Sequence, residues 1–181
     1  MLIHTKNIYL LVGESGNGKT SVAEKLEQQH GLTSIQSYTT RPKRYSNEVG
    51  HVFILEEDFD NLTKLAAYTK FNGYRYGTTE DQVDTHNLYV IDPAGVEYFK
   101  THYGGNKKPY VIYIYATLKD RILRMRDRGD SDTQVLQRLI NDIDAFKNVN
   151  NISDVAIVNG DLEDCANSCY QYILEKEMNN E

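Results

Sequence analysis

Gly13-Glu14-Ser15-Gly16-Asn17-Gly18-Lys19-Thr20 sets two glycines ahead of a lysine and a hydroxyl at the GxxxxGK[ST] spacing. Glycine lets the backbone turn tightly enough for successive N–H groups to point at one set of phosphate oxygens, and a following helix adds the positive end of its dipole. In such a phosphate-binding loop Lys19 reaches the β- and γ-phosphates and the Thr20 hydroxyl holds Mg²⁺. Gly13, Ser15, Gly16, Gly18, Lys19, Thr20 and the adjacent Ser21 are therefore the expected triphosphate-binding set, and the chemistry they point to is binding of a nucleoside triphosphate. The context agrees: the apolar run Ile8 to Val12 precedes the loop, and Val22, Ala23 and Leu26 follow at helical spacing.

The elements that must hold this loop follow from periodicity. Gly31 is a C-terminal stop for the first helix, and Leu32 to Ser37 reads as a short strand. From Val52 the pattern breaks into small pieces: a strand to Leu55, a brief helix over residues 56–64, and two aromatic-rich segments, 68–71 and 74–76, joined by Asn72-Gly73, a strong hairpin signal. The larger rhythm resumes with a strand over 88–92, a helix over 93–102 and the buried-type run Tyr110 to Ala116. Helices over 118–127 and 133–146 follow, then a strand over 154–158 and a helix over 161–175. Leu136, Leu139, Ile140 and Ile143 lie at helical spacing. Strands alternating with helices predict an α/β chain with right-handed crossovers and a parallel central sheet covered on both faces.

A chain of 181 residues with 40% apolar and 25% charged residues fits one folded domain with an inserted subdomain. Its formal net charge of −6 argues against nucleic-acid binding, so an anionic substrate must meet local basic clusters. One such cluster is Arg41-Pro42-Lys43-Arg44, where Pro42 extends Arg41 so that Arg41 and Arg44 either face one anion or form a solvated basic loop. Asp92 ends an apolar strand before Pro93, a position that suits a helix N-cap as well as an acid near a metal. Arg128 and Arg138 flank the polar link 128–132 and are candidates for a lid that closes over phosphates, whereas Arg121 and Arg124 read as solvated. Cys165 and Cys169 share a helical stripe with Leu162, Ala166 and Ile173, which makes them core thiols suited to a reducing compartment. No leader or membrane span is evident, so the expectation is cytoplasmic, without membrane or nucleic-acid partners.

The phosphate loop resembles that of guanylate kinase. So do Ser37-Tyr38-Thr39-Thr40-Arg41-Pro42-Lys43-Arg44, Tyr76-Gly77-Thr78, Ile91-Asp92-Pro93-Ala94-Gly95-Val96, Arg128-Gly129 with Arg138-Leu139, and Val155 to Asn159, all in the family's order. The resemblance implies a P-loop NTPase three-layer fold, with a core over 1–36 and 85–181, a small α+β monophosphate-binding insertion over about 37–84 and a helical lid over about 126–138. It implies ATP and Mg²⁺ as cofactors and small nucleotides as substrates, in a monomer or homodimer. It assigns Arg41, Arg44 and Tyr76 to the acceptor phosphate, Ser37 and Thr78 to the base, Asp92 to the acceptor and metal, Arg128 and Arg138 to the lid, and Asn159 to the adenine of ATP.

The departures from the family pattern gather in the acceptor pocket. Counting back from Tyr76-Gly77-Thr78, the family's guanine-binding glutamate falls on Ala67 and the first aspartate of its Leu-Asp-Ile-Asp pattern falls on Val90. His51 stands where the family has a phosphate-binding tyrosine, and the lid is about a residue shorter. Catalysis in such a site consists of alignment and charge neutralisation by Lys19, Mg²⁺, Arg41, Arg128 and Arg138. The expected reaction is ATP-dependent phosphorylation of GMP or dGMP. Two alternatives share parts of the pattern: a kinase like ribose 1,5-bisphosphate phosphokinase, which also lacks the glutamate, and a non-catalytic guanylate-kinase-like binding domain, which would not need a complete phosphate loop.

Overall fold

A computed structural model describes residues 5–43, 46–71 and 73–178. Arg44, proposed from sequence for the acceptor phosphate, and Asn72 of the hairpin turn lie outside the described residues.

The chain alternates as expected. β1 (Asn7–Val12) leads through the phosphate loop into α1 (Lys19–His30), which stops at Gly31 with φ +67°. β2 (Ser37–Thr39), β3 (His51–Phe53), α2 (Glu56–Asp60), β4 (Leu65–Phe71), β5 (Tyr74–Thr79) and α3 (Glu80–Thr85) follow. β6 (Leu88–Val90), α4 (Pro93–His102), β7 (Lys108–Tyr115), α5 (Leu118–Asp127), α6 (Asp132–Phe146), α7 (Val149–Ile152), β8 (Val155–Val158) and α8 (Leu162–Met178) complete the order.

Two sheets result. One is parallel, in the order β6-β1-β7-β8; the other is mixed, in the order β3-β2-β5-β4. β1 is buried along its whole length, as its unbroken apolar sequence requires. Ile8, Leu10 and Val12 pack on one side with Val96 and Phe99 of α4; Tyr9 and Leu11 pack on the other with Val22 and Leu26 of α1 and Cys165, Cys169 and Ile173 of α8. Each such side chain taken out of water contributes about 1.5–3 kcal/mol. Both cysteines are free and buried.

One expectation needs correction, and two further features lay beyond the reach of periodicity. The strand expected over 32–37 is reduced to one bridge, Ser34 to Leu88, and Ser37 instead starts β2 of the other sheet. The Asn87 side chain accepts from Thr33 N and Oγ1 and takes over part of the pairing a strand would make. α3 was not foreseen, although Thr79 and Gln82 form a reciprocal capping box at its start. The apolar stripe of α6 does not face the core: Leu136, Ile140 and Ile143 are 58%, 51% and 70% exposed, and Val135 is buried instead. Helical spacing reports that a stripe exists; what covers it is a tertiary matter.

Candidate active site

The end of β1, the start of α1, the mixed sheet, the β6–α4 junction and one face of α6 enclose a cavity of about 400 Å³. Gly13, Ser15 and Lys19 line it from the phosphate loop, and Ser37, Arg41, His51 and Tyr76 from the mixed sheet and its loops. Asp92 lines it from the β6–α4 junction, and Asn141, Asp142, Ala145 and Phe146 from α6. Predicted residues from three separate stretches of chain thus face one space.

On the phosphate-loop side the backbone needs glycine. Gly16 and Gly18 have φ +81° and +83°, and a Cβ on Gly16 would stand 2.6 Å from the carbonyl oxygen of Arg121. Lys19 Nζ donates to Gly13 O at 2.5 Å and to Glu14 O at 3.3 Å. Burial strips water from its ammonium and pulls it down to about 8, against the opposing pull of Asp142 and Glu14. Thr20 and Ser21 occupy the exposed first turn of α1. Asn159 Nδ2 donates to Asn17 O at 2.7 Å, while its buried Oδ1 has no hydrogen-bond partner among the described residues.

Arg121 and Arg124 are not solvated as their sequence positions suggested. Arg121 Nε donates to Ser15 O at 2.9 Å, and its Nη2 to Asp142 at 2.6 Å. Arg124 Nη2 donates to Asn159 O at 2.9 Å, and its buried Nη1 has no hydrogen-bond partner among the described residues. α5 lies against the phosphate loop, so Arg121 and Arg124 turn inward, while Arg126, Leu118 and Leu123 stay exposed. Arg128 and Arg138 behave in the opposite way: both hold Asp130, through Nη2 at 2.5 Å and Nε at 3.1 Å, and neither lines the cavity.

On the other side, Arg41 is 8% exposed and grips the equally buried Glu48 with a two-pronged fork, Nη1 to Oε2 at 3.2 Å and Nη2 to Oε1 at 2.8 Å. That hydrogen-bonded carboxylate pushes the guanidinium further up from its ordinary value, and Tyr76 adds to the effect. The His51 ring meets Tyr76 edge-on at 5.7 Å, and its Nδ1 pairs with Ser37 Oγ at 2.9 Å. Ala67 pairs with Thr78 across β4 and β5, yet only Ala67 lines the cavity; the Thr78 hydroxyl donates to Gln82 Oε1 at 2.7 Å. Tyr89, Val90 and Thr69 also line the cavity. Asp92 Oδ1 caps α4 by accepting from Gly95 N at 2.7 Å. Burial raises its carboxyl, with Thr69 and Gly95 opposing through hydrogen bonds.

Sequence reading missed Glu48, Arg121, Arg124, Asp142 and Thr69. The acidic residues carried no motif, and the α5 arginines fell on what looked like a solvent face. Glycine geometry at Gly16 and Gly18, the depressed Lys19 ammonium and the two unpartnered polar atoms beside the loop suit a nucleoside triphosphate. Among the described residues no group of three or more His, Cys, Asp or Glu stands ready to hold a metal. A Mg²⁺ bound with the triphosphate would be carried mainly by phosphate oxygens, with the Thr20 hydroxyl and the Asp92 carboxylate as the protein oxygens expected from the sequence, and such a donor set suits this ion.

The Lys19 shift predicts a pH dependence. A bound polyanion raises its pKa again, so ATP binding takes up a proton near pH 8.5, and affinity falls as pH climbs from about 8 toward the ordinary lysine value. Calorimetric titration at pH 8.5 in two buffers of different ionisation enthalpy measures the uptake; equal heats in both buffers would contradict it.

A guanylate kinase family model matches residues 5–177. Guanylate kinase of Legionella pneumophila (strain Paris) is 28% identical over 185 aligned residues, covering 95% of this chain and 87% of that protein. Guanylate kinase of Neisseria gonorrhoeae is 27% identical over 172 aligned residues, covering 87% of this chain and 82% of that protein. The crystal structure of guanylate kinase from Anaplasma phagocytophilum has the same fold, with a TM-score of 0.67 over 98% of this chain and 89% of that one, at 22% identity. No helix among the described residues is long and apolar enough to cross a membrane. With the family model spanning nearly the whole chain, the protein belongs to the guanylate kinase family of nucleoside monophosphate kinases.

Proposed function

We propose that the protein transfers the γ-phosphoryl group of ATP to a nucleoside monophosphate, GMP or dGMP being the first candidates, with weak discrimination between guanine and adenine. The supporting observation is a single cavity that brings Lys19 of the phosphate loop opposite Arg41 and Tyr76 of the mixed sheet. The triphosphate lies along residues 13–20, with its adenine toward Asn159. The acceptor lies along the mixed sheet, its phosphate at Arg41, Arg44, Tyr76 and His51 and its base toward Ser37 and Ala67. Residues 37–84 form the acceptor-binding insertion and residues about 126–138 the lid.

A phosphate monoester has a second pKa of about 6 and is already a nucleophile at neutral pH, so no general base is needed. The protein's contribution is to hold the acceptor oxygen in line with the γ-phosphate and to spread positive charge around the transferring group. Thr20 and Asp92, together with phosphate oxygens, would hold a Mg²⁺, which would supply neutralisation of the phosphate charge. Lys19 and Arg41 approach from the two walls. Arg128 and Arg138 reach the phosphates only after exchanging Asp130 for them, an exchange that couples lid closure to nucleotide charge.

Base discrimination is weak because the wall that faces the base carries Ala67 and Val90. A carboxylate at 67 would accept from guanine N1–H and the 2-amino group and would reject adenine, at about 1.5–3 kcal/mol per charged bond. The hydroxyls that remain nearby are engaged: Ser37 with His51, Thr78 with Gln82 and Thr69 with Asp92. Neutral hydroxyls that both donate and accept discriminate little.

A coupled ADP-release assay across GMP, dGMP, AMP, UMP, CMP and ribose 1,5-bisphosphate tests the activity. Ala67→Glu is expected to raise kcat/KM for GMP relative to AMP by about tenfold or more, since 1.4 kcal/mol is a factor of ten. An unsubstituted protein that already prefers GMP by more than about 10⁴-fold would overturn the Ala67 reading, because ratios of that size need dedicated polar readout.

A further inference from the structure

The phosphate loop already holds an anion of the protein's own. Asp142 of α6 accepts from Ser15 N at 3.0 Å through Oδ2 and from Ser15 Oγ at 3.3 Å through Oδ1. The same Oδ2 accepts from Arg121 Nη2 at 2.6 Å, and Arg121 is anchored in turn to Ser15 O. The carboxylate is well shielded, its side chain 13% exposed, and it lines the cavity beside Lys19. The groups facing it are Arg121, Ser15, Lys19 and, through Arg121 at 3.9 Å, Glu14. Asp142 also lies one helical turn beyond Arg138, on the same face of α6.

Backbone N–H groups of a phosphate loop serve the phosphates. One N–H cannot give a full hydrogen bond to two anions, and two anions a few ångströms apart in a shielded site repel strongly. We propose that Asp142 is an intramolecular competitor of the triphosphate: its carboxylate takes a phosphate place at Ser15 and Arg121, and ATP binds by displacing it. Displacement exchanges one anion for another at both donors, so Arg121 passes from carboxylate to phosphate without becoming unpaired. Because Asp142 and Arg138 share a face of α6, release of Asp142 frees that helix to bring Arg138 toward the phosphates. The competitor thereby lowers donor affinity and ties occupancy of the loop to the position of the lid.

The inference rests on the reading that the phosphate loop binds ATP. Calorimetric titration of the unsubstituted protein, D142N and D142A with ATP and Mg²⁺ tests it. Both variants are expected to bind ATP about tenfold more tightly, since removing the charge removes the competition. Their thermal midpoints without ATP are expected to fall, because a tie between α6 and the loop is lost. Unchanged or weaker ATP binding by both variants, with binding by the unsubstituted protein intact, overturns the competitor and makes Asp142 a positioning or purely structural group. Failure of the unsubstituted protein to bind ATP overturns the phosphate-loop reading and the competitor with it. Circular dichroism at the titration temperature confirms that the variants compared are folded; if D142A is not, D142N decides the outcome alone.

Discussion

Lys19→Ala lowers kcat for phosphoryl transfer by at least about 10²-fold and leaves the fold intact. Lys19 brings its ammonium to the cavity from the first residue of α1, and its hydrogen bonds go to the carbonyls of Gly13 and Glu14 rather than to the core. Its removal costs little packing but takes away a charge aimed at the transferring group, where a single preorganised donor is worth about 10²–10³-fold in rate. The substitution also relieves the cost of keeping an ammonium desolvated, so the thermal midpoint should hold or rise slightly. Steady-state kinetics and circular dichroism measured together decide the matter. A variant that keeps more than about a tenth of the wild-type rate would remove the phosphate loop from the centre of the reaction.

Glu48→Ala is expected to destabilise the protein by about 3 kcal/mol and to weaken acceptor binding at the same time. Arg41 and Glu48 side chains are 9% and 6% exposed, and breaking a buried ion pair from one side leaves the other charge uncompensated, at a typical cost of about 3–5 kcal/mol. The lower end applies because Arg41 borders a cavity and keeps its bond to Pro42 O. Glu48 also fixes both terminal nitrogens of Arg41 in one plane, so the variant should lose acceptor affinity with little change for ATP. Denaturant unfolding gives the first quantity and calorimetry the second. A loss below about 1 kcal/mol, the scale of an exposed pair, would mean that the pair is far wetter than its geometry implies.

What the sequence determined by itself is local in origin. The glycine spacing of residues 13–20 specifies a backbone path, and it is realised as left-handed glycines leading into α1. The alternation of buried-type strands with amphipathic helices specified the parallel sheet, because β1 and β7 are apolar enough to be covered on both faces. Pro93 after Asp92 specified the cap of α4, since proline suits the first helical position and aspartate the one before it. Each of these signals lies within one element and its immediate neighbours.

Only the tertiary structure decided where side chains without a motif would end. Arg121 and Arg124 sit on the polar face of an amphipathic helix, and that face turned out to cover the phosphate loop, while the helix's leucines stay exposed. The apolar stripe of α6 went the other way and faces solvent, leaving Asn141, Asp142 and Ala145 to line the cavity. Glu48 finds Arg41 across a loop, and Asp142 finds Ser15 from 127 residues away. The physical reason is the same in each case. A side chain's period along the chain fixes which face of its own element it shares, but the partner of that face comes from a distant stretch, and nothing in the local sequence of either element records the meeting.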